Sequence, residues 1–485
     1  MYRSVAMLLL FAPITLGDDA ATVGKRPRLL ILTDIGGDPD DQQSMRRLML
    51  YANEFEIVGL IASASGTPRE VGKAVVRPEL ILEIVDDYAA VVANLRLHGE
   101  GYPDPAALRS VIKAGSPERG VPHLGEGRST AGSRHIIEAV DASERPLYVA
   151  IWGGAHDLAQ ALFDVRAGRE EAETAAFVAR LRVYAIADQD AWGPDGKGTG
   201  QWIRDHFPRL RYVESGPPGM DRYAALFRGM YQNDSAGGGK PLPLVTDEVA
   251  ALNDEAWVVR HVRRDHGPLG AGYPIVNQNP NTDRNTRGVK EGDTPSWFFV
   301  LPNGLHDPDR PDLGGWGGRF RPESGGHFTD AEDDHPSGLD DPALRRKWTV
   351  ARWRRAYQND FAARLQWCVK PFGEANHNPV AVVDGDETPE ILRRSASPGE
   401  RIRLDASGSS DPDGDDLLFR WYVYPQTAEL PEGKVIEGED SPLATIEIPA
   451  NSTASVIPIV LEVEDSGSPP LVSYRRVLIE IGRNR

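Results

Sequence analysis

Residues 28–50, RLLILTDIGGDPDDQQSMRRLML, carry the pattern that decides the fold. The unbroken apolar run at 28–34 is what a parallel strand buried on both faces requires. A glycine turn follows, then a helix-compatible segment at 42–51 and a second apolar run, EIVGLIAS, at 56–63. Working outward, LYVAIW at 147–152, RVYAIA at 182–187 and SWFFVL at 296–301 read as further strands. Between them, Ile81, Ile84, Val85, Tyr88 and Val92 mark one face of a helix over 78–95, and 343–369 predicts a long final helix. Strand–helix alternation over 25–372 predicts an α/β domain built on an open, mostly parallel sheet with helices on both sides.

The texture changes after a short linker at 373–378. Runs at 401–406, 417–424, 445–448, 456–463 and 474–481 are short, β-rich and separated by Gly, Pro, Asp and Ser. They predict a second, smaller all-β sandwich over 379–485. That segment holds 10 basic and 20 acidic residues, a net −10 of the chain's −18.

Length and composition bound the function. At 485 residues, with 40% hydrophobic and 26% charged, the chain buries a sizeable core in two or three domains. Its acidity disfavours nucleic-acid binding through phosphate contacts. The single cysteine, Cys368, excludes an internal disulfide framework and a cysteine zinc site. Arg3, the apolar stretch at 5–16 and the small-residue pattern ending at Gly17 read as a signal peptide over 1–17, hence a secreted or periplasmic bacterial protein. No stretch approaches ~20 apolar residues, so no membrane partner is expected.

In an open α/β sheet, ligands gather beyond the carboxyl ends of the strands. The first strand ends in Asp34, Asp38, Asp40 and Asp41, four carboxylates within eight residues. Capping and turn formation account for one or two of them, and the mutual repulsion of the rest calls for a hard, oxygen-ligated cation such as Ca2+. With 296–301 as a strand, Asn303, His306 and Asp307 fall on the same rim, where Asp307 completes the metal shell. The histidine either donates a proton or caps its loop. Gly153-Gly154-Ala155-His156 after the strand at 147–152, and Asp188-Gln189-Asp190 after that at 182–187, add polar groups to the same edge. Trp316, in the glycine-rich run 313–320, is either a sugar-stacking residue or part of the core.

The segments 32–50 and 56–62 resemble the opening of inosine–uridine nucleoside hydrolases, whose signature is DTDxGxDDAxA. His306-Asp307-Pro308 is similar to that family's downstream HD motif, and 153–159 (GGAHDLA) to its GPLTNLA turn. The resemblance implies Asp34, Asp41 and Asp307 as calcium ligands, with His156 lending its main-chain oxygen. It implies Asp40 as general base on a calcium-activated water. A fuller resemblance, over nearly the whole chain, is to secreted bacterial cellulose-binding proteins with a nucleoside hydrolase-like domain. It rests on the D-I-x-x-[DE]-P-D-D opening, Trp152-Gly153-Gly154, Asp188-Gln189-Asp190, 302–307, 314–320 and 374–377. The segment 404–421 resembles PKD or Ig-like modules.

Two departures bear on substrate. Two extra residues separate Asp34 from Asp40-Asp41, so the alignment can slip to Asp38. Ser63-Ala64-Ser65-Gly66-Thr67 stands where hydrolases place a Gly-Asn pair. The expectation is therefore an exported calcium-dependent hydrolase of N-glycosyl or related glycosyl bonds, with His306 as the available leaving-group acid. Asp38, Gln189, Asp190, Asn303 and Trp316 would contact the substrate, a nucleoside-like molecule or a glycan up to the size of a polysaccharide. The alternative is a non-catalytic carbohydrate-binding protein on the same scaffold. The oligomeric state is left open.

Overall fold

A computed structural model describes residues 26–482 except 38, 65–74, 193–195, 218, 232–243, 276–286, 428–434 and 453. The proposed signal segment and Asp38 lie outside the described residues.

Eight strands form the main sheet: β1 (Arg28–Thr33), β2 (Glu56–Ala62), β3 (Ile112–Ala114), β4 (Leu147–Ile151), β5 (Leu181–Ile186), β6 (Arg211–Ser215), β7 (Phe320–Pro322) and β8 (His327–Asp330). Their order is β3-β2-β1-β4-β5-β6-β8-β7, parallel throughout except for the β7/β8 pair. The order runs outward in both directions from β1 and β4, so it reverses between those two strands. In open α/β sheets such a reversal is where flanking connections part and ligand crevices form above the strand ends. All six residues of β1 are buried, consistent with apolar packing on both faces of the sheet.

Two expected elements differ. SWFFVL is not a strand: Thr294–Phe298 forms a short helix with Asp293 at its N-cap and Pro295 in its first turn. Proline is well tolerated there because the first-turn N–H groups lack intrahelical partners. Every residue from Thr294 to Leu301 is buried, and a short apolar run buried all round has no periodicity to separate helix from strand. The long final helix is two helices, Pro342–Ala351 and Arg354–Trp367, broken at 352–353.

The C-terminal region is a sandwich of a three-stranded and a four-stranded sheet, with its own apolar core around Trp421. The outer face of the four-stranded sheet presents Tyr424, Val460 and Tyr474 to the core of the α/β region. Arg476 reaches across to the backbone oxygens of Leu305 (2.8 Å) and Gly314 (2.9 Å), and Arg355 pairs with Glu464 at 2.6 Å. Among the described residues, no helix is long and apolar enough to cross a membrane.

Candidate functional site

The helix Pro39–Leu50, here α1, starts directly above the β1/β4 crevice with Asp40 and Asp41 in its first turn. Negative charge is favoured there by the helix dipole. The Thr33 hydroxyl donates to Asp41 Oδ1 and accepts from the Ile35 amide at 3.2 Å, so the strand end and the helix start are tied through one side chain. Asp34, only 5% exposed, closes on the turn after β4. A Cβ at Gly153 would lie 2.5 Å from its carboxylate, and one at Gly154 would lie 2.1 Å from Asp190 Oδ1. Both positions therefore need glycine for the acids to approach this closely.

The third acid of the cluster is Asp293. One carboxylate oxygen each from Asp40, Asp41 and Asp293 lie within 4.8 Å of one another. A polar seam along α1 brings Asp293 into place. Gln43 accepts from the Lys290 amide at 2.7 Å, Thr294 donates to Ser44 at 3.1 Å, and Arg47 pairs with Glu291 through Nη2 at 3.0 Å. Arg47 and Glu291 are fully buried, and Tyr273, Thr294 and Gln358 satisfy their remaining polar atoms. A buried, fully bonded ion pair of this kind fixes register, because breaking it would leave an uncompensated charge inside. Tyr231 adds a hydroxyl, donating to Asp40 Oδ2 at 3.2 Å.

An all-carboxylate oxygen set suits a hard divalent cation, which relieves the repulsion of three acids held together. Asp41 and Asp293, the more deeply buried of the three, are the residues that could hold it, and Asp34, 5% exposed, follows directly on the end of β1. Asp40 is half-buried, on the outward side.

The structure does not bring Asp307 or His306 to this rim. Asp307 faces Arg393 at 3.8 Å. Asp309, two residues on, pairs with Arg182 (3.2 Å) and Arg211 (3.5 Å), near the starts of β5 and β6, so the loop lies at the amino edge of the sheet. The misplacement follows from reading 296–301 as a strand, since a strand would have delivered 303–307 to the carboxyl edge. His306 packs against Gly315 and accepts from the Trp316 amide at 3.2 Å. Burial, reinforced by Arg476, holds it down to about 3, so it is neutral and has no proton to give at neutral pH. Trp316, 2% exposed, is core: it packs edge-on against Phe298, Tyr357 and Tyr474 and donates to the Tyr474 hydroxyl at 3.2 Å. Asn303 lies between the two regions, holding the Leu305 amide at 3.2 Å.

His156 opens the helix His156–Gly168, so its carbonyl is committed to that helix's own bonding. Burial lowers its imidazole to about 4. Any backbone oxygen from this turn must come from residues before it. Gln189 spends its amide on the carbonyls of Trp152 and Ile186, bracing β4 against β5. Asp190, bonded by the Thr199 hydroxyl, is pushed up to about 7 by burial and holds a proton near neutrality. Asp293 and Tyr231 were missed in the sequence. The signal for Asp293 was present in 293–295, Asp-Thr-Pro, a helix N-cap followed by first-turn proline.

Fold and rim together define a nucleoside hydrolase-like α/β protein carrying an all-β C-terminal region. The family described as cellulose-binding Sde182, nucleoside hydrolase-like domain, matches residues 28–320, and the C-terminal domain of the cellulose-binding protein Sde0182 matches 401–481. The chain belongs to this family. It is similar to a nucleoside hydrolase-related protein from Saccharophagus degradans, described as associated with carbohydrate metabolism. Identity is 32% over 94% of this chain and 100% of that one, with a TM-score of 0.75. The inosine–uridine preferring nucleoside hydrolase of Bacillus anthracis is 12% identical over 67% of this chain and 100% of its own, with a TM-score of 0.34. No curated protein matches the chain.

Proposed function

We propose that the chain is an exported, metal-dependent hydrolase of a glycosyl bond, with a nucleoside-like or glycan substrate bound over the β1/β4 crevice. The observation that carries this reading is the approach of Asp40, Asp41 and Asp293 to within 4.8 Å at the point where the strand order reverses. Bound by Asp41, Asp293 and Asp34, a hard cation, with calcium the best match to so irregular a carboxylate set, would supply charge neutralisation and Lewis acidity.

The protein's own groups divide the remaining work. Asp40, on the outward side with one oxygen bonded to Tyr231, accepts the proton of the attacking water. Tyr231 fixes the orientation of that carboxylate. Attack by water in a single displacement inverts the anomeric centre. Export is proposed from the apolar sequence at 5–16.

A second reading, carbohydrate binding without turnover, is favoured by the family's cellulose-binding description and by the removal of His306 from the rim. Release of free sugar from nucleosides and aryl glycosides, with calcium and with chelator, decides between them. Asp40→Asn should lose at least 100-fold in rate while keeping its calcium response. Wild-type protein that releases no sugar with any divalent cation overturns the hydrolase reading.

A further inference from the structure

A cleft of about 450 Å³ lies between the α/β region and the C-terminal sandwich, at the far end of α1 from the acidic rim. Tyr51 and Glu54, just beyond the last residue of α1, form part of its floor, whereas Asp40 and Asp41 begin that helix. Twelve helical residues separate the two places by roughly 18 Å. The volume falls within the range of small-ligand sites, and a domain junction is a common location for them.

Its walls combine flat aromatic surface with polar groups of both kinds. Phe372 stacks on His377 at 3.8 Å, and His377 continues the stack to His98 and Trp367 at 5.1 and 5.2 Å. Three of these rings are buried, but Phe372 remains 41% exposed at the mouth, beside Val380 at 37%. On the floor, Arg364 is held by Asp360 (3.0 Å) and Glu54 Oε1 (2.8 Å), and Asn378 donates to Asp360 Oδ2 at 3.0 Å. Among the lining residues, the buried Asn303 Nδ2 and Arg475 Nε and Nη1 have no acceptor among the described residues. Arg475 is 1% exposed and pairs with Asp386 at 3.0 Å.

We infer that this cleft is a binding site for a short neutral oligosaccharide, such as a β-glucan end, distinct from the acidic rim. Sugar rings present an apolar face, which suits Phe372, and an edge of hydroxyls that both donate and accept, which suits the mixed floor. Acidic and basic groups alternate around it, and no single sign of charge selects an ionic ligand. The inference rests on the carbohydrate-binding reading of the family and gives it a location: a pocket for a chain end, where a flat crystalline face would find no matching surface.

The test is isothermal titration calorimetry of the full chain with cellotriose. Wild-type protein should bind saturably, with the same affinity in EDTA and in calcium. Phe372→Ala removes the exposed ring, and Val380→Trp narrows the mouth. Each should weaken binding at least tenfold while melting within a few degrees of wild type. The inference is overturned if wild type does not bind cellotriose, or if the folded variants both bind as wild type. Displacement by inosine together with loss in EDTA also overturns it, by putting the sugar at the rim. Sugar release from nucleosides or aryl glycosides is read separately, so either result can fail while the other stands.

Discussion

Replacing Asp293 by asparagine separates a metal-binding acid from an ordinary structural one by the sign of its effect. In the metal-free protein, three carboxylate oxygens lie within 4.8 Å of one another. At that separation each like-charged pair costs about 1 kcal/mol in water and about 3.5 kcal/mol at an effective dielectric near 20. Asp293→Asn keeps the shape of the side chain and removes two of the three repulsions, so the metal-free variant should be more stable than metal-free wild type, with ~2–7 kcal/mol as the ceiling before the loss of the charge's other interactions. Calcium at 100 times its dissociation constant should stabilise wild type by about 2.7 kcal/mol. The variant, lacking one anionic ligand, should gain little. Thermal melting of both proteins in EDTA and across a calcium series reads all four states, with Asp307→Asn, at the opposite edge of the sheet, as a control that retains the wild-type calcium response. A wild-type melting temperature indifferent to EDTA and to every divalent cation would refute the reasoning. So would a metal-free Asp293→Asn protein less stable than wild type whose calcium response is intact.

Three further outcomes follow from burial and geometry. Gly153→Ala puts a methyl group 2.5 Å from the Asp34 carboxylate and should cost ~1–3 kcal/mol while weakening calcium binding, read by the same melts. Trp316→Ala empties the aromatic junction around Phe298, Tyr357 and Tyr474 and should cost ~3–5 kcal/mol in denaturant unfolding, whereas a solvent-facing sugar platform would cost under ~1 kcal/mol. Asp330, 2% exposed, is raised by burial to about 7, so folding favours its protonated form. Its contribution is fully present below the unfolded value near 4 and is lost as pH rises through about 7, up to ~4 kcal/mol in all. Asp330→Asn should therefore flatten the fall in melting temperature between those pH values, and an unchanged slope would count against this assignment.

Several parts of the fold were legible because they depend on local pattern. The apolar runs ending at Thr33, Ala62, Ile151 and Ile186 are strands in the structure, each with the period and length of a buried parallel strand. Asp34, Asp40 and Asp41 were legible as a group because one turn joins β1 to α1 and holds them together whatever the rest of the chain does. The 296–301 segment was not legible in the same way. Its residues are buried on every side, so helix and strand leave the same apolar signature, and the wrong choice carried Asn303, His306 and Asp307 to the wrong edge of the sheet. Trp316 was ambiguous for a related reason: a large ring near glycines suits both an exposed platform and a packed junction, and Tyr474, 158 residues away, decides between them.

The sequence by itself determined the α/β alternation, the all-β tail and a concentration of acid after the first strand, because periodicity and turn chemistry act over a few residues. Only the tertiary structure decided which distant acid joins that group and which faces the two regions bury against each other. Asp293 reaches Asp40 and Asp41 through contacts spanning some 250 positions, Arg47 with Glu291 and Ser44 with Thr294. No local rule encodes such a pairing. It exists because a buried charge and a buried hydroxyl each had to find a partner inside the closed core.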